Sequence, residues 1–289
     1  MSEKEVIGIC GIGRMGSAIA DRLAAKGFRL VLWSRSGVTD EFADRNRAEI
    51  ALNLASLAFK SDIIITSLIN DGAVDSVLSK LVETSLPGKL VVETSTVRPD
   101  TLRRFSEKIK AKGGSAIDAP ISGGPELVRE GTAGVYVGGA TIDYKRYLPV
   151  AEALSDRIHH TGSLGAGAAA KIVNNMMLCG YWEVLKEALL TGKKAGLSVE
   201  TMLDVLLTSP GGSPALKFRA PRILGEDKSI GFPAKGALKD ATLFAEVAEN
   251  FGVETPAIKA AVESYRTCIA EGHGDEDLSA MVRTALEKG

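Results

Sequence analysis

One lysine in the chain stands beside two amides at the spacing of a helix. Lys171, Asn174 and Asn175 lie on one arc, because helical side chains three and four residues apart face the same way. The neighbours of Lys171 are alanine, isoleucine and valine, so at least the stem of its side chain is expected to be covered. Burial lowers the pKa of a lysine from about 10.4, which is the change needed for proton exchange near neutral pH. The alternative is a solvated surface lysine, the commoner role of a single helical lysine.

A glycine-rich segment follows the first predicted strand directly and opens a helix. It has the pattern Gly-x-Gly-x-x-Gly and consists of Gly11, Ile12, Gly13, Arg14, Met15 and Gly16. The first glycine permits the tight turn, the second lets the backbone approach a pyrophosphate, and the third lets helix and strand pack closely. The helix N-terminus then faces the anion. The segment therefore predicts a dinucleotide-binding turn, although the bare pattern would fit any glycine-rich turn.

The end of the second predicted strand bears on the choice of cofactor. An acidic residue there binds the ribose 2′-hydroxyl of NAD, whereas arginine accommodates the 2′-phosphate of NADP. This chain has Ser34, Arg35 and Ser36 at that position and no carboxylate. A guanidinium between two hydroxyls suits a dianionic phosphate. The residues favour NADP and leave NAD possible, with a solvated loop arginine as the alternative reading.

Two further segments offer polar groups just after predicted strands. Ser122, Gly123 and Gly124 can present a hydroxyl and unobstructed backbone N–H groups to an anion, although a plain glycine turn explains the same residues. Thr96 lies just past a strand end, and ligands of α/β sheets bind at the carboxyl edge of the strands. The sequence therefore predicts that both segments lie near a bound ligand.

The elements that must position these residues alternate in the first half of the chain. Strands are predicted at 6–10, 29–33, 62–67, 89–93, 115–118 and 134–138, with helices at 15–26, 73–81 and 99–112. Such alternation is typical of parallel βαβ units. From residue 165 onward the pattern is helical, at 168–195, 198–207, 234–251, 255–271 and 279–288. The prediction is an α/β domain over 1–164 and an all-helical domain over 165–289.

Composition excludes several classes of protein. The 289 residues include 35 Lys plus Arg and 36 Asp plus Glu, so there is no basic surplus for a nucleic acid or an anionic membrane. Three widely spaced cysteines give neither a disulfide framework nor a metal-binding pattern. No window reaches the ~18 uninterrupted apolar residues of a membrane span. We therefore expect a cytoplasmic protein that binds no metal, nucleic acid or membrane.

With these residues located, the chain resembles the β-hydroxyacid dehydrogenase family, which includes the 3-hydroxyisobutyrate dehydrogenases, tartronate semialdehyde reductases and glyoxylate/succinic semialdehyde reductases. Besides the glycine turn, the resemblance rests on ordered motifs at 93–96, 118–124, 165–175 and 239–240. It covers essentially the whole chain. The family implies an N-terminal Rossmann-like parallel sheet, a long interdomain helix and an all-helical C-terminal domain of the 6-phosphogluconate dehydrogenase type. It also implies a homodimer or homotetramer.

The resemblance implies a role for each matching residue. Lys171 would be the catalytic residue, and Asn175 would hold the reacting oxygen or the carboxylate beside it. The glycine turn would bind the cofactor together with Ser34, Arg35, Ser36, Leu68, Thr96 and Lys239. The small carboxylate-bearing substrate would be bound by Ser122, Gly123, Gly124, Asn174, Phe232 and Asp240. The expected reaction is hydride transfer between NADP(H) and a small 3-hydroxy acid or its semialdehyde or keto acid.

Departures from the family pattern leave the substrate open. The family commonly has Leu-Pro where this chain has Leu68 and Ile69, and a small residue where it has Val128. Two alternatives remain. An imine reductase shares the architecture but usually carries Asp or Tyr where this chain has Lys171, and a catalytically silent cofactor-binding scaffold would have no need of Lys171, Asn175 and Ser122.

Overall fold

The computed structural model describes residues 5–289 and divides them into two compact units. One unit ends at Ile172 and the other begins at Val173. Each unit has its own buried residues. Over the described range, none of the helices combines the length and the apolar character needed to cross a membrane.

The first unit is built on a nine-stranded mixed sheet. Its strands are β1 (Val6–Cys10), β2 (Arg29–Trp33), β3 (Glu49–Ile50), β4 (Ile63–Thr66), β5 (Leu90–Glu93), β6 (Ser115–Asp118), β7 (Ile121–Ser122), β8 (Gly134–Gly138) and β9 (Arg157–Gly162). The order along the sheet is β3-β2-β1-β4-β5-β6-β8-β7, with β9 paired to β8. The strand order reverses at the β1–β4 pair, and sheets of this kind bind ligands at the carboxyl ends of the strands there.

The six strands from β3 to β6 along the sheet are parallel, as the alternating sequence pattern predicts. The far end differs, because β8 runs antiparallel to β6 and β7. The prediction of an α/β fold with a parallel sheet is confirmed. The antiparallel end was not predicted, since Ile121–Ser122 is too short a strand to show a periodicity of its own.

Helices cover both faces of the sheet. They are α1 (Arg14–Ala25), α2 (Asp40–Arg45), α3 (Leu54–Lys60), α4 (Asp71–Leu81), α5 (Arg103–Ala111), α6 (Pro125–Glu130) and α7 (Thr141–Leu154). Two apolar clusters result, one containing Ile7, Ile9 and residues of α1 and α7, the other containing Ile64, Val91 and residues of α3 and α4. The runs Ile63–Thr66 and Leu90–Glu93 are buried along their whole length, as expected of strands covered on both faces.

In the described residues of the second unit, helices joined by loops form the fold, and Pro233 and Asp277 make an isolated β-bridge. The 29-residue helix α8 (Ala166–Lys194) begins in the first unit and continues into the second. The other α-helices are α9 (Val199–Leu207), α10 (Pro214–Ile223), α11 (Ala234–Asn250), α12 (Pro256–Cys268) and α13 (Ala280–Lys288), and a π-helical segment, Ile269–His273, follows α12. Its largest buried side chains include Trp182, Phe244 and Tyr265. The sequence indicates four of these helices and the long α8, but not α10, which contains Pro221.

Candidate active site

The glycine turn has the backbone of an anion cradle. Gly11 has φ +100°, and a Cβ at this position would lie 2.3 Å from the carbonyl oxygen of Ser67. A Cβ at Gly16 would lie 1.8 Å from the carbonyl oxygen of Gly11, so only glycine allows α1 to start this close to the strand. Gly13 faces open space and caps α1 without a side-chain hydrogen bond. The turn therefore has the room and the N–H groups that a pyrophosphate requires.

The end of β2 lies beside this turn, because the backbone N–H of Gly11 donates to the carbonyl of Trp33 at 2.8 Å. The Oγ atoms of Ser34 and Ser36 are 3.2 Å apart, and Arg35 between them is exposed. The first carboxylate after the strand is Asp40, which starts α2. The arrangement leaves a guanidinium and two hydroxyls available at the position where the cofactor's adenosine ribose is expected.

The carboxyl ends of β4 and β5 are joined by side-chain hydrogen bonds. The backbone N–H of Leu68 donates to Ser95 Oγ at 2.8 Å, and Ser95 N donates to Glu93 Oε1 at 2.6 Å. Thr66 Oγ1 donates to Glu93 Oε2 at 2.5 Å. Leu68 and Thr96, predicted as cofactor-binding residues, are half-buried in the two loops that this network holds together.

Glu93 itself was not identified as a functional residue by the sequence reasoning. Its side chain is 1% exposed. Burial raises its pKa to about 7, against the hydrogen bonds from Ser95 and Thr66, which lower it. The available signal was a glutamate that closes an otherwise apolar strand, Leu90–Glu93. Such a carboxyl changes charge near neutral pH.

Lys171 lies against the predicted substrate loop. It is 6% exposed, so the prediction of a covered lysine is confirmed. Its Nζ donates to the carbonyl oxygen of Ile121 at 2.7 Å, which places the amine next to Ser122. Gly123 has φ +127°, and a Cβ there would lie 2.9 Å from Leu127 Cδ1. A side chain at Gly123 would thus be strained on both counts, which keeps this part of the loop a bare backbone.

Asp118 fixes the helix that carries Lys171. Its carboxylate is 2% exposed and accepts hydrogen bonds from the backbone N–H groups of Gly165 at 2.5 Å and Ala168 at 2.6 Å. Burial raises the pKa of Asp118, while those two hydrogen bonds lower it. The start of α8 is therefore attached to the end of β6, one helical turn before Lys171. The sequence pattern places Asp118 at the start of the motif at 118–124 and predicts no role for it.

The remaining predicted residues belong to the second unit. Asn174 Nδ2 donates to Asn175 Oδ1 at 2.9 Å, and unbroken helix from Ala166 to Lys194 puts both on the arc of Lys171. Lys239 Nζ lies 2.6 Å from Asp240 Oδ1 on α11, where Asp240 is buried. Phe232 is half-buried just before α11, and its backbone N–H donates to Asp277 Oδ2 at 3.0 Å.

Family models match nearly the whole chain. Residues 6–162 match the NAD binding domain of 6-phosphogluconate dehydrogenase. Residues 165–285 match the domain described as NAD-binding of NADP-dependent 3-hydroxyisobutyrate dehydrogenase.

Two curated relatives align over nearly their full length. A 2-(hydroxymethyl)glutarate dehydrogenase from Eubacterium barkeri is 32% identical, over 97% of this chain and 95% of the relative. A 2-hydroxy-3-oxopropionate reductase from Escherichia coli is 30% identical, over 97% of each chain.

Solved structures of related proteins have a similar fold. The 3-hydroxyisobutyrate dehydrogenase of Mycobacterium tuberculosis with L-serine has a TM-score of 0.88 and 26% identity, covering 98% of this chain and 99% of that one. An imine reductase from a Pseudomonas species has a TM-score of 0.62 at 20% identity, covering 98% and 100% of the chains. The latter likeness concerns the fold alone.

Proposed function

Because this chain belongs to the β-hydroxyacid dehydrogenase family and is an NAD(P)-dependent hydroxyacid dehydrogenase, we propose that it interconverts a small 3-hydroxy acid and its semialdehyde or keto acid with NADP(H). The relatives named above act on compounds that carry a carboxylate close to a hydroxyl or carbonyl group. A substrate of this class needs a group that moves a proton and a site that holds a carboxylate.

The observation that carries the proposal is the buried Lys171 amine beside the loop of Ser122. When bound, the nicotinamide gives or accepts the hydride at its C4. In reduction Lys171 donates a proton from Nζ to the carbonyl oxygen of the substrate. In oxidation Lys171, or a water that it polarises, removes the hydroxyl proton. An ammonium has three N–H groups, and the hydrogen bond from Nζ to Ile121 O at 2.7 Å fixes the amine beside Ser122.

We further propose how the other predicted residues act. Ser122, Gly123 and Gly124 hold the substrate carboxylate, and Asn175 holds the reacting oxygen or the carboxylate beside it. Asn174, Phe232 and Asp240 line the substrate site, while Lys239 contacts the cofactor. Holding the substrate at two points accelerates the reaction, because it replaces random encounter with a fixed orientation.

NADP is the proposed cofactor, and NAD remains the alternative. The support is local: Arg35 is exposed between two serine hydroxyls, and the first carboxylate after β2 is Asp40 at the start of α2. We also propose a homodimer or homotetramer that works in a reducing cytosol, which fits the three free and buried cysteines.

A substrate screen tests the proposed function. NADPH oxidation is followed with glyoxylate, succinic semialdehyde, methylmalonate semialdehyde and tartronate semialdehyde, and with a cyclic imine as the comparison. We expect turnover of at least one carboxylate-bearing aldehyde and none of the imine. Turnover of the imine alone would identify an imine reductase, and binding of NADPH without any turnover would indicate a cofactor-binding scaffold.

A further inference from the structure

The buried carboxyl of Glu93 lies beneath the two loops predicted to contact the cofactor. It ends β5, directly beside Thr66 at the end of β4, and these two residues are partners in the parallel register. Ser95 connects it onward to the backbone of Leu68. This places a titratable group at the carboxyl edge of the sheet, within the hydrogen-bond network that shapes the cofactor site.

The network can accommodate Glu93 with or without its proton. Thr66 Oγ1 lies 2.5 Å from Glu93 Oε2 and 3.3 Å from the carbonyl oxygen of Val92. When the carboxylate is ionised, the threonine hydroxyl donates to it. When the carboxyl is protonated, it donates to Thr66 Oγ1 instead, and the hydroxyl proton turns toward Val92 O. Ser95 N donates to Oε1 in both states. A change of charge therefore requires no loss of a hydrogen bond.

Among the charged groups around Glu93, the one that acts on it most strongly is negative. Asp71, at the start of α4, raises the pKa of Glu93, and its own carboxylate accepts from Arg98 N at 2.9 Å. Cys10, at the end of β1, is held as a neutral thiol because burial, and then the charge of Glu93, raises its pKa. On β6, Asp118 pairs in register with Glu93 but directs its carboxylate to the start of α8. A positive charge at the mouth of this edge is therefore the natural partner of an ionised Glu93.

The proposed cofactor brings such a charge in only one of its two states, because an oxidised nicotinamide ring is cationic and a reduced ring is neutral. We propose that Glu93 is a proton-binding site coupled to the oxidation state of the bound cofactor: ionised Glu93 favours NADP⁺, and protonated Glu93 favours NADPH. This inference rests on the proposed function, since it requires a nicotinamide at the carboxyl edge of β4 and β5.

The proton is accounted for at each stage. Binding of NADP⁺ shifts Glu93 toward the carboxylate, so its O–H bond breaks, the electron pair stays on the oxygen and the proton passes to solvent. Binding of NADPH leaves the carboxyl protonated. By linkage, a group that changes the affinity for the oxidised cofactor has its own proton affinity changed by the same factor.

Cofactor binding at several pH values tests the inference. The Kd values of NADP⁺ and NADPH are measured by titration at pH 6, 7 and 8, which is a binding readout independent of turnover. In the wild-type protein we expect the ratio of the NADPH Kd to the NADP⁺ Kd to rise by about fivefold or more from pH 6 to pH 8. Both cofactors carry the 2′-phosphate, so its titration cancels in the ratio.

Two variants separate Glu93 from other groups. Glu93→Gln keeps donors and acceptors for Thr66 and Ser95 but carries no charge, and its ratio should not change with pH. Asp62→Asn is the matched control. Asp62 precedes β4 at the amino ends of the strands, where it accepts from Val6 N at 2.9 Å. This control should behave like the wild type.

Each result has a definite meaning. A flat ratio in the wild type, or an equal rise in Glu93→Gln, overturns the inference while leaving the proposed function standing. If the wild type binds neither NADP⁺ nor NADPH, both the inference and the proposed function are contradicted. If Glu93→Gln does not fold, calorimetry of the wild type in two buffers of different ionisation enthalpy decides the matter. Near pH 7, NADP⁺ binding should release protons that NADPH binding does not, and equal release would overturn the coupling.

Discussion

Arg35 is the residue on which cofactor choice depends. It is exposed between two serine hydroxyls at the end of β2. Loss of a hydrogen bond to a charged group costs about 1.5–3 kcal/mol. We therefore expect Arg35→Ala to raise the Kd of NADPH by roughly ten- to hundredfold. NADH lacks the 2′-phosphate and is the matched control, so its Kd should hardly change. Equal losses for both cofactors, or equal affinities in the wild type, would rule out a phosphate contact.

Glu93 makes a separate prediction for stability. Its pKa rises from an ordinary 4.5 to about 7 on folding, so the folded protein binds the proton more tightly than the unfolded chain. Its contribution to stability is fully present below pH 4.5 and is lost as the pH rises through about 7. The loss is about 3 kcal/mol for a shift of this size. The unfolding free energy of Glu93→Gln, measured by urea denaturation, should therefore rise relative to that of the wild type as the pH goes from 5 to 8. A constant difference across this range would contradict the buried proton.

Helix α8 gives the prediction at the next scale, because its start depends on one carboxylate. Asp118→Ala leaves the buried N–H groups of Gly165 and Ala168 without their acceptor, and each such group costs about 1–3 kcal/mol. We expect a lower unfolding free energy and a lower kcat, because Lys171 lies one turn away. Asn53→Ala is the control: it removes the cap of α3, where Ser56 N donates to Asn53 at 2.8 Å. It should cost about 1 kcal/mol without changing kcat. Equal kcat values in the two variants would show that the hydrogen bonds from the start of α8 to Asp118 have no bearing on Lys171.

The elements also show what sequence patterns can and cannot predict. Strands β1, β2, β6 and β8 have the predicted bounds, because apolar β-branched runs are strong local signals. Helices α7 and α10 were not predicted, since each contains a proline, Pro149 or Pro221, that weakens a helical pattern. Helix α5 was expected from residue 99 and begins at Arg103. In the turn before α5, Arg98 N and Thr101 Oγ1 both donate to Asp71 at the start of α4. This partner lies far away in the chain, and the sequence does not reveal it.

In the candidate site, too, local patterns are predictable from the sequence and long-range contacts are not. Glycine turns and a lysine on an apolar helix are local patterns, and the sequence predicts them. The positions of Glu93 and Asp118 depend on partners 27 and 47 residues away, at Thr66 and Gly165. Their roles become visible only when the strands are assembled.

At the scale of the whole molecule, an exposed apolar row predicts self-association. Val173, Met177 and Val184 on α8 are 65%, 74% and 59% exposed. They are spaced four and seven residues apart, so they share one face of the helix. An exposed apolar face of this kind is typical of a surface that another helix covers. We expect light scattering after size-exclusion chromatography to give two or four times the mass of the chain, and Met177→Glu to lower that mass. A monomer in the wild type would contradict the homodimer or homotetramer, and an unchanged assembly in Met177→Glu would place the interface elsewhere.

The most direct measurement is the turnover of Lys171 variants. Lys171→Ala should retain the fold and the Kd of NADPH, because the glycine turn that connects β1 to α1 does not include Lys171. Its kcat should fall by the ~10²–10⁴-fold typical of a lost general acid or base. Lys171→Arg should not restore turnover, because a guanidinium stays protonated at neutral pH. Lys194→Ala, an exposed lysine at the far end of the same helix, is the control and should turn over normally. A kcat near the wild-type value in Lys171→Ala, with the melting temperature unchanged, would contradict the mechanism.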